Sequence, residues 1–237
     1  MPSLPAQRFL RHAHTYEHHA IVQRAMARRL VEILRADFPQ CTEIFEFGCG
    51  RGSYTRLLQS LYPHAHFVCN DINDYARYFG GDTEFLRFDM GLVGEALPPR
   101  SFSLITANAA IQWLNQRKCL QALPRFLRPR GALLFSSFGT HNLWQIRELC
   151  GVGLEYLNLE EYEEILSKDF EILHLSRSSH TLRFSSSIEV FRHLHASGVN
   201  GVQKGFFLSK ALLKEYTQRF ANALEYESVY LYARKKS

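Results

Sequence analysis

Residues 43–52 read Glu-Ile-Phe-Glu-Phe-Gly-Cys-Gly-Arg-Gly, an apolar run that gives way to glycines at positions 48, 50 and 52. The run 43–47 has the content of a short strand, and from Tyr54 to Leu61 the apolar residues Leu57, Leu58 and Leu61 recur at helical spacing. The stretch therefore reads as a strand, a glycine loop and a helix. Glycine lets a backbone approach a ligand more closely than any Cβ allows, and it accepts the positive φ of a tight turn. The spacing G-x-G-x-G is not the G-x-G-x-x-G of dinucleotide binding, and no Lys-Ser or Lys-Thr pair follows as in a P-loop. Phosphate cradling is thereby disfavoured.

Downstream the same alternation continues. Strand-like runs at 65–70 (AHFVCN), 84–88 (EFLRF), 103–108 (SLITAN) and 132–138 (ALLFSSF) are separated by a short helical stretch near 73–79 and a longer one over 115–128. Strands that alternate with helices call for a parallel sheet covered on both faces. Asp71 closes the second strand 19 residues beyond Gly52, where a carboxylate can accept hydrogen bonds from two ribose hydroxyls. Asp89 and Asn108 follow the next two strands. Ligands of open α/β sheets bind at the carboxyl ends of strands, so these strand ends supply one cleft, and a nucleoside without a pyrophosphate fits it.

After Phe138 the order changes. Residues 142–167 are mostly helical, 170–177 resume a strand, amphipathic segments occupy 187–197 and 208–222, and 226–235 form a last strand rich in aromatic and β-branched residues. Ahead of the core, Phe9, Ala13, Tyr16, Ala20, Met26, Leu30, Ile33 and Leu34 stand at helical spacing within 7–36, with a break around 14–18. No repeat, low-complexity stretch or linker divides the chain.

Of the 237 residues, 46% are apolar and 22% charged, enough for a packed core and far from a disordered composition. The excess of 28 Lys and Arg over 23 Asp and Glu suits an acidic partner and falls short of a nucleic-acid-coating protein. No apolar run approaches the ~18 residues of a membrane span, and the N-terminus lacks a secretory apolar region. The expectation is a soluble, cytoplasmic monomer with neither nucleic acid nor membrane among its partners. Five cysteines without a C-x-x-C pair read as reduced, buried thiols. His12, His14, His18 and His19 have no carboxylate or cysteine at matching spacing, so no metal site is expected.

On these motifs, residues 43–138 resemble the class I S-adenosylmethionine-dependent methyltransferases: EFGCGRG, the acid in NDIN, FDM, LITANAAIQW and LRPRGALLF stand in that family's order. The resemblance implies an α/β, Rossmann-like fold with a mostly parallel seven-stranded sheet, an N-terminal helical extension and helical lid insertions. It implies S-adenosylmethionine as cofactor, with Gly48, Gly50 and Gly52 on its methionine side, Asp71 on the ribose and Asp89 facing the adenine. Glu46, Ile72, Met90 and Asn108 join that cofactor-binding set. The whole chain reads as one methyltransferase domain: a helical lid in 1–42, the cofactor-binding core in 43–138, and acceptor-side helices with the last strands in 139–237. Arg130 stands where the family usually has glycine.

A narrower resemblance is carried by Phe9, Arg11, Ala13, Tyr16, Ala20 and Gln23, by Asn108-Ala-Ala-Ile-Gln112-Trp113 and by FSSFGTHNLWQIR at 135–147. These look like the malonyl-acyl-carrier-protein O-methyltransferases of biotin synthesis. That likeness implies Arg11, Tyr16 and Gln23 as further cofactor-binding residues and malonyl-acyl-carrier protein, an acidic protein, as partner. A related branch with the same N-terminal and N-x-x-x-Q-W signatures modifies a protein arginine during respiratory-complex assembly, and GFFLSKALL at 205–213 departs from the usual Gly-Leu-Thr-Gly type. A methyltransferase for a free small carboxylic acid and a protein-modifying or assembly factor therefore stand as alternatives.

Methyl transfer from a sulfonium is an in-line displacement, so the catalyst aligns two groups and removes water. A malonyl carboxylate is ionised near neutral pH and needs no general base. It does need a cation. Arg147 is the candidate, the competing reading being a solvated charge on a helix face. Asn108 and Trp113 complete the catalytic set as the near wall of the acceptor pocket, although a tryptophan after a strand end is as often core. Tyr16 and Gln23 close over the cofactor as a lid if their helix is continuous, simple packing explaining Tyr16 nearly as well. Arg11 pairs with the methionine carboxylate or sits on the surface. Three basic stretches either dock an acidic carrier or are solvated faces: Arg24, Arg28 and Arg29; Arg117, Lys118, Arg125 and Arg128; Lys204, Lys210 and Lys214.

Overall fold

The helix Ile21–Asp37 (α1) turns Met26, Leu30 and Leu34 inward at spacings of four, the stripe by which an amphipathic helix joins a core. It belongs to a computed structural model that describes residues 20–37, 39–151, 153–197 and 208–237. There follow β1 (Glu43–Phe47), α2 (Ser53–Leu61), β2 (His66–Asp71), β3 (Thr83–Arg87), α3 (Val93–Ala96), β4 (Phe102–Asn108), α4 (Gln116–Ala122) and β5 (Leu127–Phe138). Beyond these come α5 (Trp144–Cys150), α6 (Leu159–Leu166), β6 (Phe170–Arg183), α7 (Ser187–Ala196), α8 (Lys210–Phe220) and β7 (Ala223–Lys235). Arg11 and Tyr16, and the break expected at 14–18, lie outside the described residues.

Seven strands form one sheet in the order β3-β2-β1-β4-β5-β7-β6. The pairs β1–β2, β2–β3, β1–β4 and β4–β5 are all parallel. The strand order reverses between β1 and β4, and such a switch point opens a crevice at the carboxyl ends of the strands. Both strands are buried along nearly their whole length because helices cover both faces of a parallel sheet: Phe45 of β1 stacks on Phe102 of β4 with ring centres 5.2 Å apart.

The residues group into two compact units, a larger one of Gln23–Ser137, Leu157–Arg177 and Val229–Ser237, and a smaller one that includes Phe138–Tyr156 and Ser178–Ser228. In the larger, Phe135 of β5 packs on Tyr162 of α6 at 5.6 Å, and the Tyr162 hydroxyl donates to Gln116 of α4 at 2.5 Å. The smaller unit has its own aromatic cluster. Tyr216 of α8 stands 5.5 Å from Phe191 of α7 and 5.0 Å from Phe220.

Element boundaries differ from the sequence reading where local chemistry intervenes. The helix expected over 115–128 ends at Ala122, because Pro124 stands in the first turn of the 3-10 segment Leu123–Phe126 and lacks the N–H of a continuing α-helix. The stretch 142–167 is two helices: α5 stops at Gly151 with φ +63, and α6 restarts on a reciprocal cap between Asn158 and Glu161. Only one 3-10 turn, Ala76–Tyr78, forms within 73–79. β5 begins five residues early, at Leu127, and crosses an irregularity in its pairing with β4 between Phe102 and Leu104.

Arg130 sits in that irregular stretch with φ +63, a conformation costly for any residue with a Cβ. Its guanidinium reaches Glu171 at 3.4 Å, an exposed ion pair of little worth. Arg130→Gly is expected to raise the free energy of unfolding by about 1 kcal/mol, the strain relieved less the greater freedom of an unfolded glycine. Urea denaturation reads the change, and a variant less stable than wild type would show that the ion pair outweighs the strain.

Candidate active site

Four strands of the larger unit carry polar side chains to their carboxyl ends. Leaving β1, the chain turns through Gly48 (φ +64) and Gly50 (φ +53) before Gly52 caps α2. At Gly48 an added Cβ would stand 2.3 Å from the Ala110 Cβ, so a second loop passes where a side chain would be. Gly50 is the converse case. Nothing lies within 4 Å of an added Cβ there, and its backbone faces open space that a ligand can enter.

Asp71, at the end of β2, is locked beside this loop. Its Oδ2 accepts the Gly50 N–H at 3.1 Å and its Oδ1 the Asn73 N–H at 2.9 Å. Burial pushes its carboxyl upward, opposed by the backbone N–H groups of Asn73, Gly50 and Ile72. Each oxygen keeps a further lone pair for a ligand hydroxyl. Glu46 of β1 is more extreme: it is 1% exposed, and its Oε2 has no hydrogen-bond partner among the described residues. Burial raises its pKa to about 8; the Thr55 hydroxyl lowers it, the Asp71 charge raises it and Arg56 lowers it.

The remaining sequence candidates divide between ligand edge and scaffold. Asn108 ends β4 with its amide engaged at both ends: Nδ2 donates to the Gln23 carbonyl at 3.0 Å, and Oδ1 accepts the Ser136 hydroxyl at 2.8 Å. It thereby joins α1, β4 and β5, and buried Gln23 contributes its backbone. Asp89 is exposed and caps the turn Met90–Leu92 by accepting the Gly91 N–H at 2.8 Å, while Met90 is part of the hydrophobic core. Half-buried Ile72 follows Asp71 and accepts from Arg87 at 3.4 Å through its carbonyl. Trp113 ends the 3-10 turn Ile111–Trp113 and is half-buried.

Gln112 and the turn 75–78 were not among the candidates. The Gln112 Nε2 donates to the Ala109 carbonyl at 2.6 Å, whereas its buried Oε1 lacks a partner among the described residues. Arg51 of the glycine loop and Arg77 each stand 4.9 Å from the centre of the Tyr78 ring. The aromatic and basic alternation in Tyr75-Ala-Arg-Tyr78 was the available signal.

Arg147 belongs to the smaller unit. Exposed on α5, it donates from one terminal nitrogen to the carbonyls of Thr140 at 2.7 Å and Asn142 at 3.2 Å, bracing the loop that follows β5. Buried Glu227 braces the same loop by accepting the His141 N–H at 2.9 Å. An added Cβ on Gly139 would meet that carboxylate at 2.2 Å. All five cysteines are unpaired, three of them buried and two half-buried. Among the described residues no cluster of His, Cys, Asp or Glu is arranged to hold a metal ion, and no helix is long and apolar enough to cross a membrane.

The glycine loop, the strand-end carboxylate of Asp71 beside it and the switch-point cleft accord with an S-adenosylmethionine-dependent methyltransferase of class I, which the chain is. The methyltransferase domain family matches residues 45–135. A putative methyltransferase from Bacillus halodurans shares the fold at a TM-score of 0.62 with 14% identity, over 88% of this chain and 99% of its own. Nearer relatives are the malonyl-[acyl-carrier protein] O-methyltransferases of Bacteroides thetaiotaomicron, 31% identical over 98% of this chain and 97% of its own, and of Chlorobium phaeovibrioides, 37% identical over 84% and 80%. The chain belongs to the malonyl-[acyl-carrier protein] O-methyltransferase family. Its residues fit the cofactor on two observations, the open backbone at Gly50 and the orphaned acceptor of Glu46.

The Glu46 carboxyl makes a prediction. A glutamate ionises near 4.5 in an unfolded chain, whereas this one stays protonated to about 8 when folded. Between those values the folded protein holds the extra proton, so stability falls as pH rises from about 5 to about 8. Glu46→Gln removes that dependence and is expected to gain about 3 kcal/mol on wild type between pH 5 and pH 8 in urea titrations. Parallel pH profiles would show that the buried carboxyl is already ionised.

Proposed function

We propose that this protein methylates the free carboxylate of a malonyl thioester carried on acyl-carrier protein, in service of biotin synthesis. The observation that carries the proposal is family membership along nearly the full chain, with relatives whose names state that substrate. The bound cofactor supplies an electrophilic methyl group on a sulfonium. Asp71 is proposed to hold the ribose hydroxyls, Gly48, Gly50 and Gly52 to pass the methionine portion, and Glu46 to accept from its ammonium group. Ile72, Asp89 and Met90 are assigned to the adenine side, and Asn108, Gln23 and Trp113 to the wall between cofactor and acceptor.

No residue has to remove a proton from an ionised carboxylate, so the protein aligns the two groups and excludes water. Arg147 is proposed as the cation that holds the acceptor carboxylate in the dehydrated site. The decisive experiment is mass spectrometry of malonyl-acyl-carrier protein after incubation with the protein and S-adenosylmethionine. A gain of about one methylene on the acyl group is expected, and none on a free dicarboxylic acid. Methylation of the free acid alone would establish the small-acid alternative. Arg147→Ala should lower turnover of the carrier substrate about a hundredfold, ~2.7 kcal/mol, with S-adenosylhomocysteine affinity unchanged within a few fold. Wild-type turnover in that variant would leave Arg147 as a brace for its loop.

A further inference from the structure

Asn142, in the loop after β5, is buried and hydrogen-bonded at both ends of its amide. Its Oδ1 accepts the Glu227 N–H at 3.3 Å, which leaves Nδ2 as the end that meets the Tyr156 hydroxyl, at 3.0 Å. The direction of that second bond follows. An amide nitrogen only donates, so the phenol oxygen is the acceptor and its own proton is turned elsewhere. Among the described residues no acceptor takes that proton.

Arg147 is tied to the same asparagine. One terminal nitrogen donates to the carbonyls of Thr140 and Asn142, while the other terminal nitrogen and Nε have no acceptor among the described residues. The buried carboxylate of Glu227 is engaged with the His141 N–H at 2.9 Å rather than with Arg147. Burial pushes the Tyr156 phenol upward, against the Asn142 hydrogen bond and the Arg147 charge, which both lower it. Tyr156 therefore remains protonated, and remains a donor, at neutral pH. One loop of the smaller unit thus presents a guanidinium and a phenol O–H, both tethered to Asn142.

We infer that Tyr156 is a second donor to the acceptor carboxylate, forming with Arg147 a clamp that selects acyl groups ending in a free acid. The inference rests on the carboxylate acceptor proposed above and adds the residue that chooses between acyl chains. Both donors on one carboxylate oxygen leave the other with its lone pairs free to attack the methyl carbon. The new carbon–oxygen bond forms as the carbon–sulfur bond breaks, the electron pair of that bond returns to sulfur, and no proton moves. The ester produced is neutral and a weaker acceptor, so the clamp loosens as the charge is lost. An acyl chain ending in a methyl group leaves both donors dehydrated and unpaired.

The test uses the full chain saturated with S-adenosylhomocysteine and follows binding of malonyl- and acetyl-acyl-carrier protein by calorimetry. Wild type is expected to bind the malonyl form at least tenfold more tightly. Tyr156→Phe should lose at least fivefold of that preference, with acetyl-carrier and S-adenosylhomocysteine affinities within about twofold of wild type, and should raise KM for malonyl-carrier more than it lowers kcat. Because the readout is a ratio, partial unfolding of a variant leaves it unchanged. Added to Arg147→Ala, Tyr156→Phe should still weaken malonyl-carrier at least threefold; no further loss there would show that Tyr156 only places Arg147, and overturns the clamp. Equal weakening of both carriers, or a wild type without the preference, overturns it as well. Wild type that prefers malonyl-carrier through Tyr156 yet transfers no methyl group to it overturns the substrate reading and not the clamp.

Discussion

A methyl group cannot be placed between Gly48 and Ala110. An added Cβ would come within 2.3 Å of the alanine, so the exits of β1 and β4 meet only because one of them is glycine. These are the two strands between which the sheet order reverses, and their separation sets the shape of the crevice there. Once they meet, Gly50 is left facing open space, and its N–H points to Asp71 at the end of the neighbouring strand. Glycine loop, carboxylate and cleft are thus consequences of one close approach.

The central sheet was legible because its signals are local. A strand-length apolar run, alternate glycines and an acid at the next strand's end follow in order, and the structure has β1, the loop and Asp71 in that arrangement. What stayed hidden depends on residues distant in the chain. Asn108 reads as a ligand-facing amide, yet its two ends are held by Gln23 and Ser136, neither of which is near it in sequence. Glu46 looks like any acid in a strand, and only the packing around it makes its carboxyl a buried acid with pKa about 8. Some misreadings had visible causes. Pro124 marks the end of α4, and Gly151 the end of α5.

The polar groups fall into two kinds. Asn108 and Asp89 are hydrogen-bonded to their own scaffold, and fix the strand end of β4 and the turn after β3. Glu46 and Gln112 keep buried oxygens without a partner among the described residues. A fold normally satisfies such atoms, because an unpaired buried acceptor costs roughly 1–3 kcal/mol. Glu46 lies two residues before Gly48 and Gln112 two residues after Ala110, so both flank the close approach of the two loops.

The loop after β5 illustrates a different kind of dependence. Gly139 lies so close to the Glu227 carboxylate that a Cβ would overlap it at 2.2 Å, while the same carboxylate anchors the His141 N–H. Two positions far apart in the chain therefore behave as one inherited character. A larger residue at 139 requires the Glu227 carboxylate to move aside, and moving it gives up the anchor on His141. In an evolving lineage or a mutant library, the effect of a change at either position therefore depends on which residue occupies the other.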